Sequence, residues 1–371
     1  MRTTVALLFG GRSGEHGISC ITAGGVLGAI DRERYDVVAV GITRDGRYVL
    51  ASDDPADWAI RDGVAPEVPA EGDEVLLPAR VHADGERAEL RVIRDGRAEH
   101  LADIDVVLPL LHGAYGEDGT IQGALDLLDI PYVGSGVLAS AVCMDKAATK
   151  TALRAAAIPC APDVIVREEQ WRSDPGAVME RIRRELDLPL FVKPARAGSS
   201  LGVSRVTDLE RLPEALATAF AIDPKVLVET GIVGREVECG VLGSRGSEPP
   251  RTTVPGEVRI GDDLDFYDYE SKYFGKGTVD IEIPARLSPS QIAAVRSLAA
   301  HAFAALGLEG LARVDVFVTA DDRVLVNEVN TMPGFTPFSM FPVLWANMGL
   351  DYAALIAELV ELARARRIGL R

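Results

Sequence analysis

The sequence predicts an α/β chain with α+β elements, opening on a parallel sheet and closing on an antiparallel hairpin. Three observations carry this. Thr4–Phe9 and Asp36–Ile42 are short apolar runs flanking a helical stretch that ends near Ile30, the pattern of a βαβ unit. Asp105–Leu111 is a third run of the same kind. Leu311–Asn330 reads as two alternating strands around Asp321-Asp322, a hairpin with a two-residue turn. With 371 residues the chain can hold two or three domains and a sizeable core.

Composition narrows the partners. A hydrophobic content of 47% with 26% charged residues is that of an ordinary globular chain. The formal net charge of −17 argues against nucleic acid or an anionic membrane as the main partner, while leaving room for a local basic pocket. Cys20, Cys143, Cys160 and Cys239 are widely spaced and form no Cys-x-x-Cys pair, so neither a disulfide framework nor a zinc site is expected. The N-terminus turns quickly from a short apolar run to glycine and charge, unlike a signal peptide, and no apolar stretch approaches a membrane span. The expected location is cytoplasmic.

In chain order, the first strand ends at Gly10-Gly11, and Ser19 can cap the helix that follows. The loop GGRSGEHG lacks the G-x-G-x-x-G spacing of a dinucleotide site, because Arg12 takes the second glycine position. Glu15 and His16 instead lie just past a strand's C-terminal end, where open α/β sheets place ligand contacts. Residues 51–100 are polar, with Asp84-Gly85 and Asp95-Gly96 between short alternating runs, and read as a hairpin embellishment without chemistry. After Asp105–Leu111 comes LHGAYGEDGTIQG, a glycine-rich loop with His112 at its start and a helix from about Ile121 to Leu128. Pro131–Gly134 gives a last short strand.

A helix from Cys143 to Pro159 follows, with Lys146 in its first turn, where a cation opposes the helix dipole and should face solvent or an anion. FVKPARAGSSLGVS is a strand carrying Lys193, then a Gly-Ser loop whose backbone N–H groups can cradle phosphates. Gly198–Gly202 also matches the G-x-S-x-G nucleophile elbow, but a strand is expected after it and His301 is the only later histidine. Lys225–Thr230 is a strand ending near Glu229, and Arg235–Leu242 is another carrying Glu236. The aromatic, charged segment 263–278 is a candidate lid. Ser288-Pro289-Ser290-Gln291 is a capping box opening a helix to about Leu306. A closing helix runs from Tyr352 to Arg366.

Strand periodicity in the C-terminal hairpin puts Arg313 and Asp315 on one face, with Asp315 opposite Glu328 and Arg313 opposite Asn330. Opposed carboxylates repel. Either a hard cation such as Mg²⁺ or Mn²⁺ sits between them, or the face is simply solvated.

Eight segments in order, LFGGRSGEHGIS, LHGAYGEDGTIQG, MDK, FVKPARAGSSLGVS, VETGIVGREVECGVLG, FYDYESKY, ARVDVF and VNEVNTMPGFTPFSM, resemble the ATP-grasp superfamily and, within it, the D-alanine–D-alanine ligases. The resemblance implies a three-domain ATP-grasp fold: a Rossmann-like open parallel sheet over 1–142, a central subdomain over 143–236 and a catalytic domain over 237–371. It implies ATP-dependent joining of two D-alanines through an acyl phosphate for peptidoglycan precursor synthesis, in a homodimer, with two Mg²⁺ or Mn²⁺ and a monovalent cation such as K⁺.

Carried over by position, Lys146 and Lys193 contact the ATP phosphates, Ser200 also binds ATP, Lys272 contacts the γ-phosphate, and Glu229 and Glu236 hold the adenine and ribose side. Asp315, Glu328 and Asn330 bind the metals. Glu15 receives the first substrate's ammonium and links through Ser199 to Tyr273. Arg313 and the Gly334 N–H form an oxyanion hole, Ser339 holds the second substrate's carboxylate, and His112 lies near the first substrate. Gly17 and Phe338 depart from the family pattern, Gly17 replacing an acidic residue and Phe338 a smaller one. The competing readings are a ligase of the same family that makes D-alanyl-D-lactate or D-alanyl-D-serine, and more remotely a serine hydrolase.

Overall fold

The computed structural model describes residues 2–81, 86–260 and 279–366, and three sheets organise them. The first contains β1 (Thr3–Gly10), β2 (Tyr35–Ile42), β3 (Tyr48–Leu50), β4 (Glu74–Leu76), β5 (Ala88–Arg94), β6 (Arg97–Ile104) and β7 (Val106–Pro109). Their order is β6-β5-β4-β3-β2-β1-β7. β1 runs parallel to both β2 and β7, and its central residues are buried on both faces, which is why it reads as an unbroken apolar run. The polar stretch before residue 100 adds antiparallel strands to this sheet. Asp95 (φ 49°) and Gly96 (φ 72°) are both left-handed, as a two-residue type I′ turn requires. Asp84-Gly85 lies outside the described residues.

Helix α1 (His16–Ala29) starts three residues before the expected cap, so Ser19 is inside it. Its hydroxyl accepts from the Gly10 N–H (2.7 Å) and donates to the Leu110 carbonyl (2.5 Å), joining the ends of β1 and β7 in a fully buried position. Next come α2 (Thr120–Leu127), α3 (Val137–Met144) and α4 (Lys146–Ala155). The single helix expected from Cys143 is divided because the Asp145 carboxylate accepts from the Ala147 and Ala148 N–H groups and caps α4.

The second sheet is antiparallel, in order β10-β9-β11-β8, from β8 (Asp163–Arg167), β9 (Leu190–Pro194), β10 (Ser204–Val206) and β11 (Lys225–Thr230). Helices α5 (Glu168–Ser173), α6 (Pro175–Glu185) and α7 (Leu212–Phe220) accompany it, with Ile182, Leu212 and Leu216 packed against Val192, Val226 and Val228.

The third sheet is built from β12 (Gly234–Leu242), β13 (Arg251–Thr252), β14 (Gly256–Ile260), β15 (Val279–Glu282), β16 (Leu311–Thr319) and β17 (Val324–Asn330). Helix α8 (Pro289–Ala305) covers one face, meeting Val237, Cys239 and Val241 of β12 and Val314 and Val316 of β16. The capping box at its start is present, with Ser288 and Gln291 bonded reciprocally. The boundary expected at 236/237 falls inside β12, which pairs with β16 along its whole length.

Helices α9 (Met340–Asn347) and α10 (Tyr352–Ala365) return to the first sheet: Phe341, Trp345, Leu355 and Leu359 share one buried cluster with Val5, Leu7, Val106 and Leu108. Among the described residues no single helix is long and apolar enough to cross a membrane. Replacing Ser19 by Ala leaves the Gly10 N–H and Leu110 carbonyl without their buried partner, and should cost about 1–3 kcal/mol of stability. Urea unfolding of the variant at neutral pH measures this; a change within experimental error would show that the seam between β1 and β7 does not depend on it.

Candidate active site

A cleft of about 890 Å³ opens between the three sheets. Its floor is the outer face of the third sheet, and the register there is set by two irregularities that compensate. The expected two-residue turn is instead a three-residue loop: Thr319 pairs with Arg323 across Ala320–Asp322, and only Asp322 (φ 63°) is left-handed. Asp-Asp supplies one such residue more readily than the two that a type I′ turn needs. Alone, this slip would put Asn327 opposite Asp315 and turn Glu328 and Asn330 into the core. A bulge follows, however. Val316 pairs with Val326 while Asp315 pairs with Glu328, so Asn327 is the extra residue. Asp315–Glu328 and Arg313–Asn330 therefore face each other as expected.

Arg313 lies among these acids. Its Nε donates to Asp315 Oδ1 and its Nη2 to Asp315 Oδ2, both at 2.7 Å, while Nε also lies 2.8 Å from Glu238 Oε2. Burial disfavours the charged guanidinium, but Asp315 and Glu238 outweigh it and raise its pKa well above the ordinary value. Asn330 Nδ2 donates to Asp315 Oδ2 at 3.1 Å, leaving its amide oxygen as the end that can ligate a cation. The bulge residue Asn327 donates to Glu236 Oε1 at 2.8 Å. Burial, then Asp315 and Glu328, push the Glu236 carboxyl up.

Over this floor the second sheet presents Lys193 and Glu229 from neighbouring strands, joined as an ion pair. Lys150 of α4 reaches the other Glu229 oxygen at 2.6 Å and donates to the Ala161 carbonyl at 3.1 Å. Burial pushes the Glu229 carboxyl up, but the Lys193 and Lys150 ammoniums overcome that and bring it down to about 2. The Lys146 ammonium donates to the Ala197 carbonyl at 2.6 Å, so the cation in the first turn of α4 meets the dipole of the Gly-Ser loop. Burial lowers its pKa.

That loop also meets the first sheet. Ser199 donates to Glu15 Oε1 at 2.8 Å across 184 residues of chain. Ser199 (φ 52°) and Ser200 (φ 57°) are both left-handed, a strain of about 1 kcal/mol or more each of the kind held at functional loops. Gly113 (φ 71°) is needed for a close approach, since a Cβ there would lie 2.5 Å from Glu15 Oε2. His112 is buried 3.7 Å from Glu117, with Thr22 Oγ1 3.3 Å from its Nε2. Burial would lower the His112 pKa, but the Glu117 carboxylate raises it above the ordinary value. Ser339 stands just before α9 and shares a 2.8 Å hydrogen bond with Thr336, beside Gly334 on the cleft wall.

Glu15, His112, Lys146, Lys193, Ser199, Ser200, Glu229, Glu236, Arg313, Asp315, Glu328, Asn330, Gly334 and Ser339 thus all line one cleft. Lys272 and Tyr273 lie outside the described residues, as does the rest of the 263–278 segment. Sequence reasoning passed over four residues: Lys150, Glu238, Glu117 and Asn327. Two carried a signal. Lys150 is one helical turn beyond Lys146, and Glu238 shares a strand face with Glu236. Asn327 had none, because a bulge inverts the parity from which faces are read.

The nucleophile-elbow reading fails on geometry. β10 follows the Gly198–Gly202 loop where a helix is required, and His301 is exposed on α8 and does not line the cleft. Gly17 also has a structural reason: a Cβ there would lie 2.6 Å from Ala65 Cβ, so the embellishment packs where an acidic side chain would stand. Phe338 is 85% exposed at the cleft mouth.

The floor's donor set suits a divalent cation in one respect, being made of oxygens from Asp315, Glu328 and Asn330. Among the described residues no three acidic, histidine or cysteine groups converge as an enclosed metal site.

The carboxyl of Glu229 yields a pH test. Because its folded pKa lies below the ordinary carboxylate value, its stabilisation is full above that value and is lost as pH falls through about 2. The stability gap between the parent and Glu229→Gln should therefore narrow by roughly 2 kcal/mol from about pH 5 to about pH 3 in nucleotide-free urea titrations. A gap that stayed constant over this interval would contradict the ion-pair account.

Comparison with known proteins finds relatives along nearly the whole chain. The family model described as D-ala D-ala ligase N-terminus matches residues 4–135, and D-ala D-ala ligase C-terminus matches 152–361. The D-alanine--D-alanine ligase of Arthrobacter sp. (strain FB24) is 50% identical over 368 residues, covering 99% of this chain and 95% of that protein. That of Mycolicibacterium smegmatis is 49% identical over 375 residues, covering 100% and 98%. Among solved structures, the VanG D-Ala:D-Ser ligase from Enterococcus faecalis superposes with a TM-score of 0.80 at 30% identity, covering 98% of this chain and 100% of that one. The D-alanine-D-alanine ligase from Coxiella burnetii gives 0.78 at 31% identity, covering 98% and 94%. With both family models matched and half of its residues shared with full-length relatives, the chain belongs to the D-alanine–D-alanine ligase family.

Proposed function

We propose that the chain joins two D-alanine molecules into D-alanyl-D-alanine at the expense of ATP, supplying a peptidoglycan precursor in the cytoplasm. The observation that supports this best is the convergence of three chemistries on one cleft: Glu15 from the first sheet, the lysines beside the second, and the Arg313–carboxylate cluster of the third. The working units are 1–142, a central unit from 143 to the residue before β12, and a catalytic unit from β12 (Gly234–Leu242) onward, in a homodimer.

Phosphoryl transfer to a carboxylate brings two anions together, so positive charge must sit around them. Lys146 and Lys193 hold the ATP phosphates, Ser200 also binds ATP, Lys272 adds a γ-phosphate contact from the lid, and Glu229 and Glu236 bind the adenine and ribose side. Asp315, Glu328 and Asn330 would hold two Mg²⁺ or Mn²⁺ ions, whose chemistry is to neutralise charge on the transferring group. A monovalent cation such as K⁺ completes the ionic requirement.

Glu15, steadied by Ser199 and in turn Tyr273, takes the first substrate's ammonium, with His112 nearby. The acyl phosphate is then attacked by the second molecule's free amine. Arg313 and the Gly334 N–H stabilise the tetrahedral oxyanion, and Ser339 with its loop holds the attacking molecule's carboxylate. The 263–278 lid keeps water from the acyl phosphate.

Two outcomes test this reading. Glu328→Gln should abolish ATP-dependent ligation with the fold retained, because it removes a charge on the cleft floor and no core contact. Most of the activity surviving at saturating Mg²⁺, with circular dichroism unchanged, would sink the metal assignment. The second outcome concerns product. Attack by D-alanine requires its ammonium to lose a proton, so dipeptide synthesis should rise from neutral to mildly alkaline pH. No histidine lies between residues 113 and 300 to disfavour that ammonium, as the lactate-specific lids of the family do. D-alanyl-D-alanine should therefore dominate at about pH 7 even with D-lactate in excess. Chromatography of labelled products decides it, a predominance of D-alanyl-D-lactate overturning the specificity while leaving the ligase class intact.

A further inference from the structure

Glu238 has no part in the reaction as described above, yet it stands at the centre of the cleft floor. Sheet register places it directly beside Asp315, as Asp315 is beside Glu328, so three carboxylates form a row across β12, β16 and β17. Arg313 is the cation among them. Its contacts with Asp315 use both carboxylate oxygens, at 2.7 Å each, and its Nε is also 2.8 Å from Glu238 Oε2. The side chains of Arg313, Glu238 and Asp315 are 16%, 15% and 5% exposed, so water does not hold the guanidinium in place.

We propose that Glu238 is a positioning residue for Arg313, anchoring the guanidinium while Asp315 is engaged by the divalent cation that accompanies ATP. This rests on the role given to Arg313 above. A cation ligated by Asp315 draws on the same two oxygens that now hold Arg313, and its charge repels the guanidinium. Arg313 with Asp315 as its sole anchor would lose its geometry at the moment it is needed. Glu238 removes that conflict. It lies on the strand away from Glu328 and Asn330, and β12–β16 register, not a loop, fixes its position. Glu236 cannot take its place: it is one rung along the sheet, opposite Phe317, and the Asn327 amide bonds to it.

The test is a double-mutant cycle on the full chain, with Glu238→Gln made in the parent and in an Arg313→Lys background. Three quantities are measured: kcat for dipeptide formation, KM for ATP, and equilibrium binding of Mn²⁺ with a non-hydrolysable ATP analogue, read from the free Mn²⁺ resonance signal. Misplacing a transition-state group by a fraction of an ångström to one ångström costs roughly 10–100-fold in rate. E238Q should therefore lower kcat by about that factor in the parent, leave KM for ATP and Mn²⁺ affinity within about threefold, and change kcat less than about twofold once Arg313 is Lys. Glu238→Asp, which keeps the charge, should recover part of the loss and guards against a merely structural effect of the amide.

The proposal is overturned if the E238Q loss is the same in both backgrounds, or if kcat is unchanged. It is equally overturned if Mn²⁺ affinity falls more than about tenfold in both, which would make Glu238 a ligand in its own right. Full activity in R313K alone would instead sink the oxyanion role of Arg313, a result separable from any of these.

Discussion

The constraint on which the cleft depends is the opposition of Asp315 and Glu328 on adjacent strands. An ordinary sheet avoids such a pair because like charges directly opposite are destabilising. Here the pair is held by register, and register is held by two features that would each be faults alone. The three-residue loop at Ala320–Asp322 slips the strands by one residue, and the bulge at Asn327 slips them back. The core shows the same switch: Val326 and Val329 both face α8, three residues apart, where an unbroken strand would bury positions two apart. Apolar residues on one face and acids on the other thus agree on a single pairing, which is why the repulsion does not resolve itself by slippage.

The rest of the cleft answers that concentration of negative charge. Arg313 sits in the acidic row, and Lys146, Lys193 and Lys150 stand over it from the second sheet and α4. A chain with a net charge of −17 thereby gathers its buried cations where a polyphosphate would lie. Glu229 is held by two lysines at once, and that redundancy has a use. In the phosphate role proposed for Lys193, that lysine can turn to a phosphate while Lys150 keeps Glu229 ionised and oriented. The role proposed for Glu238 beside Asp315 and Arg313 follows the same logic: a group that changes partners is given a second partner that does not.

How much of this was legible in the sequence depended on whether the signal was local. The βαβ opening, the Asp95-Gly96 turn, the Ser288 capping box and the alternation of β16 are short-range patterns, and each appears where it was read. The pairing of Asp315 with Glu328 was also read, but through two errors of one residue that cancelled. Asp145 divided a helix that helical propensity alone would have continued, because a side-chain cap competes with the next turn. Ser19 reads as a cap but is an interior stitch, since the partners that hold it are Gly10 and Leu110, the latter 91 residues away. Spacing puts Lys150 beside Lys146 and Glu238 on the face of Glu236, but which groups they meet, Glu229 and Arg313, depends on contacts across the sheets.

The return of α9 and α10 to the first sheet bears on how the cleft is kept in shape. Their apolar faces complete the core of the first sheet, although their chain follows directly from the loop that carries Gly334 and Ser339. Tyr352 donates to the Phe335 carbonyl in that loop, and Gly25 of α1 packs against Pro337. Beyond α10, Arg366 donates to the Gly134 carbonyl at 2.5 Å and pairs with Glu309 at 2.7 Å, while Ser135 and Glu309 exchange hydrogen bonds. Gly310 approaches Gly134 so closely that a Cβ would lie 2.9 Å from its nitrogen. The first and third sheets are therefore joined through buried apolar area and through this polar seam, whereas the second sheet reaches the first by way of the Ser199–Glu15 hydrogen bond. Burial makes the first junction the more resistant to local opening, while the second includes, among the described residues, a side-chain hydrogen bond at the cleft itself.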